Sequence, residues 1–283
     1  VQRHPYTYFY SKLLVNRLPF FLPHEESFFA FKHLATENEG LFLDIGANDG
    51  ISALSFRKIN RRYRIISIEA NPYHERSLAR LEQKLSGFQY HLIGASDEFG
   101  EFDFYIPFYK KIPFHSASTV HAGYHDETFK QLFPTSLLKS FRWEHARVKV
   151  APLDSLSLRP SIIKIDVEGH ETQVLRGLQR TIAAWRPFLM VECSESSFTA
   201  VNGLLAPHVQ HVFLRQRHGD AERAAARDDG DFVQRMRVLE QNIQQRMAGL
   251  VPRGRLLFFV RHRHAAAFAA PANLVASLFK FGL

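Results

Sequence analysis

Short apolar runs recur along the chain, and each ends in an acid or a polar turn. Leu41-Phe42-Leu43 stops at Asp44, and Ile65-Ile66-Ser67-Ile68 stops at Glu69. Tyr90-His91-Leu92-Ile93 gives way to Gly94-Ala95-Ser96-Asp97. Ile162-Ile163-Lys164-Ile165 stops at Asp166, and Phe188-Leu189-Met190-Val191 at Glu192. Runs this short and apolar on both faces predict strands buried in a parallel sheet. Between them the period becomes helical. Ile51 to Lys58 is one predicted helix. A second opens at Pro72 and runs to about Leu85, with Leu78, Leu81 and Leu85 on one face. A third runs from about Glu171 to Trp185, with Val174, Leu175, Leu178 and Ile182 aligned. Strand alternating with helix predicts an α/β fold, a mostly parallel sheet with helices on both faces.

Other segments are less periodic. Phe102, Phe104 and Ile106 alternate as in a strand, and Arg147–Val150 reads as a short one. Residues 107–147 otherwise read as a long irregular insertion on the substrate side, carrying His115, His121, His125 and His145. Val209–Arg215 and Arg255–Arg261 are further strand candidates around an Arg-rich helical insertion at 217–250. The expected organisation is a helical lead-in over 1–40, a main domain over 41–264 and a tail over 265–283.

Composition narrows the class. The chain has 283 residues, 46% of them hydrophobic and 23% charged, as in a globular protein. Its one cysteine, Cys193, excludes a disulfide scaffold and a multi-cysteine zinc site. Formal charge is +8, and residues 215–263 hold 11 arginines and no lysine against 6 acids. Such a surface suits solubility alone or an anionic partner. The aromatics cluster away from the arginines in sequence, which argues against a stacking surface for nucleic acid. No run reaches the length of a membrane span. Leu18–Pro23 is too short and proline-broken for a signal peptide, so the cytoplasm is the expected location. The Ala- and Phe-rich tail suits a docked helix or a peripheral membrane contact.

The acids at the strand ends carry the chemistry. Ligands of parallel sheets bind at the carboxyl ends of the strands. Asp44, Glu69, Asp166 and Glu192 all fall there. Gly46-Ala47-Asn48-Asp49-Gly50 forms a glycine-bearing turn from strand to helix. Glu69, at the next strand tip, suits the two hydroxyls of a ribose. Asn48 stands where a dinucleotide fingerprint requires its second glycine, and Asp44 and Asp49 would repel a pyrophosphate. A cationic sulfonium with an amino-acid tail has the opposite need, since its ammonium seeks a carboxylate such as Asp44. The residues therefore favour S-adenosylmethionine over NAD.

Four stretches, F-L-D-I-G-A-N-D-G at 42–50, I-S-I-E-A-N-P at 66–72, G-A-S-D-E-F-G-E-F-D-F at 94–104 and I-I-K-I-D-V-E-G-H-E at 162–171, resemble the FkbM family of S-adenosylmethionine-dependent methyltransferases. V-L-R-G-L at 174–178 and L-D-S-L at 153–156 fit as well. The resemblance is strong over about residues 40–195. It implies a Rossmann-like class I methyltransferase, with a seven-stranded, mostly parallel sheet whose final strand is antiparallel, and O-methylation of a hydroxyl. It implies that Asp44, Gly46, Asn48 and Gly50 line the methionine part of the cofactor, with Ala47 in the same loop. Glu69, with Ala70 beside it, would hold the ribose. Ala95, Ser96 and Asp97 would lie near adenine, though an Asp in such a loop also serves as a cap. Ala70-Asn71 departs from the Pro-Asn of many members.

Methyl transfer is an in-line displacement in which alignment and desolvation matter most, helped by a base as the hydroxyl proton leaves. Asp166, Glu168 and His170 are the candidate catalytic residues, with Asp166 also reaching the cofactor. Helix-end charge is the alternative role for Glu168 and Glu171. For His170 it is the orienting of a carboxylate. Lys164 reads as a buried counter-charge. Asp166, Glu168 and Glu192 offer oxygen donors to a divalent metal, but their spacing does not call for one. His115, Ser116 and Ser118 lie in a loop suited to touching substrate, a surface histidine cluster being the alternative. The expected acceptor is a hydroxyl of a sugar or surface glycan. Alternatives are a small natural product, RNA, or a non-catalytic cofactor-binding role with a protein partner.

Overall fold

The structure is a computed structural model that describes residues 39–115, 118, 133–193, 195–205, 211–215 and 256–261, together with Pro5, Tyr6, Phe28 and Phe31. The expected α/β architecture is present. Strand β1 (Leu41–Ile45) leads into helix α1 (Ile51–Ile59), and β2 (Arg64–Glu69) leads through a 3-10 turn at Pro72–His74 into α2 (Glu75–Lys84). Then come β3 (Phe88–Leu92), β4 (Gly94–Ala95), β5 (Gly100–Tyr109), β6 (Ile112–Pro113), α3 (Thr135–Leu138) and β7 (Phe141–Ala151). The chain returns through β8 (Ile162–Ile165), α4 (Glu171–Arg176), α5 (Gln179–Trp185), β9 (Phe188–Cys193), α6 (Glu195–Leu205), β10 (His211–Arg215) and β11 (Leu256–Arg261).

The main sheet is built on five parallel strands in the order β9-β8-β1-β2-β3. β11 and then β10 continue it beyond β9. The antiparallel final strand implied by the family resemblance is not what the structure shows: β11 pairs parallel with both β9 and β10. Residues 216–255 separate β10 from β11, ample chain for the crossover that parallel pairing requires.

Alternation along the strands sorts their side chains onto two faces. Leu43, Ile45, Ile66, Ile68, Ile163, Ile165, Leu189 and Val191 meet Val174, Leu175 and Ile182 of α4 and α5 and Val201 and Leu205 of α6. Phe42, Ile65, Ile162 and Met190 meet Ala53 and Phe56 of α1, Leu78 of α2, and Phe28 and Phe31. Phe42 stacks on Phe56 with centroids 4.1 Å apart, and Phe31 meets both edge-on. Each such side chain contributes roughly 1.5–3 kcal/mol when fully buried. At Phe28 and Phe31, therefore, the lead-in belongs to the core. Apart from Pro5, Tyr6, Glu39 and Gly40, the rest of the 1–40 lead-in lies outside the described residues, as do the 217–250 insertion and the 265–283 tail.

Two sequence expectations change. The single helix expected over 171–185 is two. Asp154 accepts from the backbone N–H of Arg180 at 3.0 Å and of Thr181 at 2.8 Å, so a side chain from another segment caps a fresh helix there. Gly177 sits at the break, where a Cβ would come 1.9 Å from the Ser96 carbonyl oxygen. The described parts of 107–147 also hold strands where the sequence suggested an irregular insertion. β5 runs on to Tyr109, and β7 begins at Phe141 rather than Arg147. The two pair antiparallel along their whole length, Gly100 opposite Val150 and Tyr109 opposite Phe141. With β4 and β6 they form a second, four-stranded sheet. Its distal end holds an aromatic cluster of Tyr109, Phe114, Phe133 and Phe141, with Tyr6 against it.

Candidate cofactor and reaction site

The turn after β1 is held from two sides. Gly46 has φ 79°, and both its N–H and that of Ala47 donate to the Ile68 carbonyl, at 2.9 and 3.2 Å. A Cβ at Gly46 would stand 1.7 Å from the Asp166 carbonyl oxygen, so only glycine lets β1 and β8 open into their loops side by side. Asn48 is also left-handed, at φ 55°. This aims its N–H at Glu69 Oε2, 2.6 Å away. The other Glu69 oxygen accepts from the N–H of Asn71 at 2.7 Å. One carboxylate thus ties the glycine loop to the loop after β2. Glu69 is buried, and that burial pushes its carboxyl up to about 7 despite both donors.

Across the sheet, Asp44 of β1 sits opposite Ser67 on β2 and Lys164 on β8. All three side chains are buried. Ser67 Oγ donates to Asp44 Oδ2 at 3.2 Å. Lys164 Nζ lies 3.8 Å from Asp44 Oδ1 and donates to Asp166 Oδ2 at 3.0 Å. Asp44 Oδ1 makes no hydrogen bond. Burial raises the Asp44 carboxyl to about 6, against the pull of Lys164. Asp44 is fully enclosed, whereas Asp166 keeps 28% of its side chain exposed. Of the two carboxylates expected to meet the cofactor, Asp166 is thus the exposed one, and Asp44 lies enclosed behind Lys164.

The loop after β8 carries the remaining candidates. Glu168 takes φ 52° and Gly169 φ 100°, which turns the chain sharply into α4. Glu168 is half-buried. Glu171 is buried and accepts from the Gly169 N–H at 3.0 Å, the helix-end role that competed with a chemical one. Its carboxyl is raised by burial. His170 is buried as well, with Nε2 3.3 Å from Ser96 Oγ and its ring edge-on to Phe102. It links the 94–97 loop to the 166–171 loop. That position suits orientation better than proton transfer to a solvent-borne acceptor.

Ala95 and Ser96 are buried, and Ser96 Oγ donates to Asp97 Oδ1 at 3.2 Å. Asp97 in turn lies 3.8 Å from Arg176. Ala70 borders the same loop, 3.6 Å from where a Cβ on Gly94 would stand. His115 stands beside the loop after β2, with Nδ1 3.0 Å from Asn71 Nδ2 and its ring 4.4 Å from that of His74. Ser118 is buried, its Oγ without a hydrogen bond. Ser116 lies outside the described residues. Among the described residues no group of histidine, cysteine and acid side chains is placed to hold a metal.

Sequence reasoning missed Asn71. It caps the Pro72–His74 turn through Oδ1, which accepts from the Tyr73 N–H at 3.0 Å, while its N–H serves Glu69. Asparagine just before proline was the available signal. Lys164 had been read as a buried counter-charge, and its contacts agree.

The donor set fits an adenosyl amino-acid cofactor. Carboxylates stand at the ends of β1, β2 and β8, and the enclosed Asp44 Oδ1 makes no hydrogen bond. A parallel α/β sheet with a glycine turn and an acid at the next strand tip defines a nucleoside-binding class of protein. The family model described as the methyltransferase FkbM domain matches residues 44–222, and the chain belongs to that family. Among solved structures, a methyltransferase FkbM from Methylobacillus flagellatus KT is similar at 19% identity and TM-score 0.40, covering 60% of this chain and 37% of that one. The match therefore spans well under half of that chain's length. A precorrin-6y C5,15-methyltransferase from Geobacter metallireducens GS-15 matches at 13% identity and TM-score 0.37, covering 65% of this chain and 69% of that one. No curated protein matches the chain.

Proposed function

We propose that the protein is an S-adenosylmethionine-dependent O-methyltransferase acting on a hydroxyl of a sugar or surface glycan. The observation that carries the cofactor reading is Glu69. Its buried carboxylate ends β2 and is fixed by two backbone N–H groups, one from the glycine loop itself. Each oxygen keeps a further lone pair for a ribose hydroxyl. Asp166 offers charge to the cofactor's ammonium, and Gly46 lets the backbone come close. When bound, the cofactor supplies an electrophilic methyl group and a good leaving group. The chain's own work is then to align the acceptor oxygen, exclude water and take the hydroxyl proton. Glu168, half-buried two residues after Asp166, is the residue that would take it. The glycan preference rests on family analogy and on the arginines of 215–263, which suit an anionic chain.

The test is calorimetric titration with S-adenosylhomocysteine beside NADH, on the wild type and Glu69→Ala. Micromolar binding of the first that is lost in the variant supports the reading. Tighter binding of NADH, or no binding of either, overturns it. Transfer of labelled methyl groups to a panel of glycans, natural products and RNA then sorts the acceptors.

A further inference from the structure

Lys164 is a cation inside the sheet. Its side chain is 6% exposed, and it belongs to β8, whose other residues are all isoleucine. Burying an ammonium costs several kcal/mol unless partners offset it. Here the partners are the carboxylates of Asp44, enclosed on the neighbouring strand, and Asp166, at the open edge. The register makes this arrangement unavoidable. Asp44 pairs with Lys164, so the two project from the same face of the sheet. Asp166, two residues on, returns to that face at the edge. Glu192 stands beside it, following Val191, the register partner of Ile165. Replacing a buried ammonium by methionine removes charge and keeps length, so a core-filling role and an electrostatic role are separable.

We infer that Lys164 is a positioning residue for the cofactor: it holds Asp166 at the edge of the site and keeps the enclosed Asp44 ionised behind it. The inference rests on the cofactor reading above. Without the lysine, the enclosed Asp44 keeps Asp166 as a neighbour and loses its opposing cation, so its carboxyl rises further. The pH range over which the negative field under the cofactor's ammonium fades then moves up. The groups facing Asp44 are Ser67 and Glu69 from β2, Ser52 from α1, and Lys164 and Asp166 from β8 and its loop. Of the charged ones, only Lys164 favours the ionised form.

The experiment measures S-adenosylhomocysteine affinity by calorimetry from pH 5.5 to 9. In the wild type, affinity is flat at alkaline pH and falls on the acid side. In Lys164→Met the acid limb moves up by about one pH unit or more, the usual effect of losing an opposite charge at this range. Lys164→Arg, which keeps the charge, keeps the wild-type limb. A limb that does not move in Lys164→Met overturns the inference while leaving the cofactor reading intact. Wild-type protein that binds at no pH overturns both. If Lys164→Met does not fold, the double variant Lys164→Met/Asp166→Asn is read instead, since it removes the repulsion between the two carboxylates as well as the lysine. Lys164 acts on Asp44 more strongly than Asp166 does, so the limb of the double variant still lies above that of the wild type. A limb at or below the wild-type position overturns the inference.

Discussion

Replacing Glu69 by glutamine separates the work of this side chain in the fold from its work toward the cofactor. The rise of its carboxyl from 4.5 to about 7 reflects the cost of burying the charge. At about 1.36 kcal/mol per pH unit, the ionised form is penalised by roughly 3 kcal/mol in the folded protein. Glutamine escapes that penalty. It keeps one oxygen for one of the two backbone donors, Asn48 or Asn71, and turns an amide group toward the other. An unmet buried N–H costs about 1–3 kcal/mol. The two effects nearly cancel, so at pH 8 the apo variant melts within roughly 4 °C of the wild type. Affinity has no such compensation. One charge-assisted acceptor for a ribose hydroxyl is lost, about 1.5–3 kcal/mol, or roughly 10- to 160-fold in Kd for S-adenosylhomocysteine. Calorimetry and thermal melts at pH 8 on the same samples give both numbers. Affinity within threefold of the wild type would refute the ribose assignment. A melting drop beyond 10 °C with affinity retained would show that Glu69 is a structural tie and nothing more.

The same carboxyl sets a pH signature. An acid whose folded pKa is raised stabilises the fold below its unfolded value, and that stability is lost as pH rises through the folded value. The melting-temperature difference, Glu69→Gln minus wild type, is therefore most positive at pH 8 and falls as pH drops through about 7 toward 4.5. A difference that stays flat with pH contradicts the burial argument. Gly46→Ala places a Cβ 1.7 Å from the Asp166 carbonyl and abolishes cofactor binding, whereas Gly169→Ala meets nothing within 4 Å and costs only the about 1–2 kcal/mol of its left-handed backbone. Soluble yield and chemical denaturation of both variants test that contrast. Asp154→Ala removes the cap of α5 at Arg180 and Thr181 and lowers stability by about 1–2 kcal/mol in urea titration, with S-adenosylhomocysteine affinity of the folded protein unchanged.

Much of the frame was legible because buried parallel strands need apolar residues on both faces, and that signal is local. β1, β2, β8 and β9 fall where short apolar runs stop at an acid, and the acids fall at the carboxyl edge. The second sheet was legible only in fragments. The proximal half of β5 alternates cleanly, but the distal half is apolar and aromatic throughout and most of β7 mixes charge with aromatic residues. Ile106–Tyr109 of β5 are all buried, so that stretch does not alternate, and β7 is only partly buried or exposed from Arg142 to Arg147. The break between α4 and α5 left no clear trace either, since the residue that caps α5 lies some twenty-five positions upstream.

The site divides the same way. The sequence by itself determined which residue types stand at the strand ends, that a glycine turn follows β1, and that an acid ends β2. Spacing along one chain suffices for that. Only the tertiary structure decided what each acid faces. It enclosed Asp44 and left Asp166 at the edge, gave both oxygens of Glu69 a backbone donor, buried His170 against Ser96, and set Lys164 between two carboxylates. Those outcomes depend on strand register and on depth of burial, which fix charge and reach through residues distant in the chain.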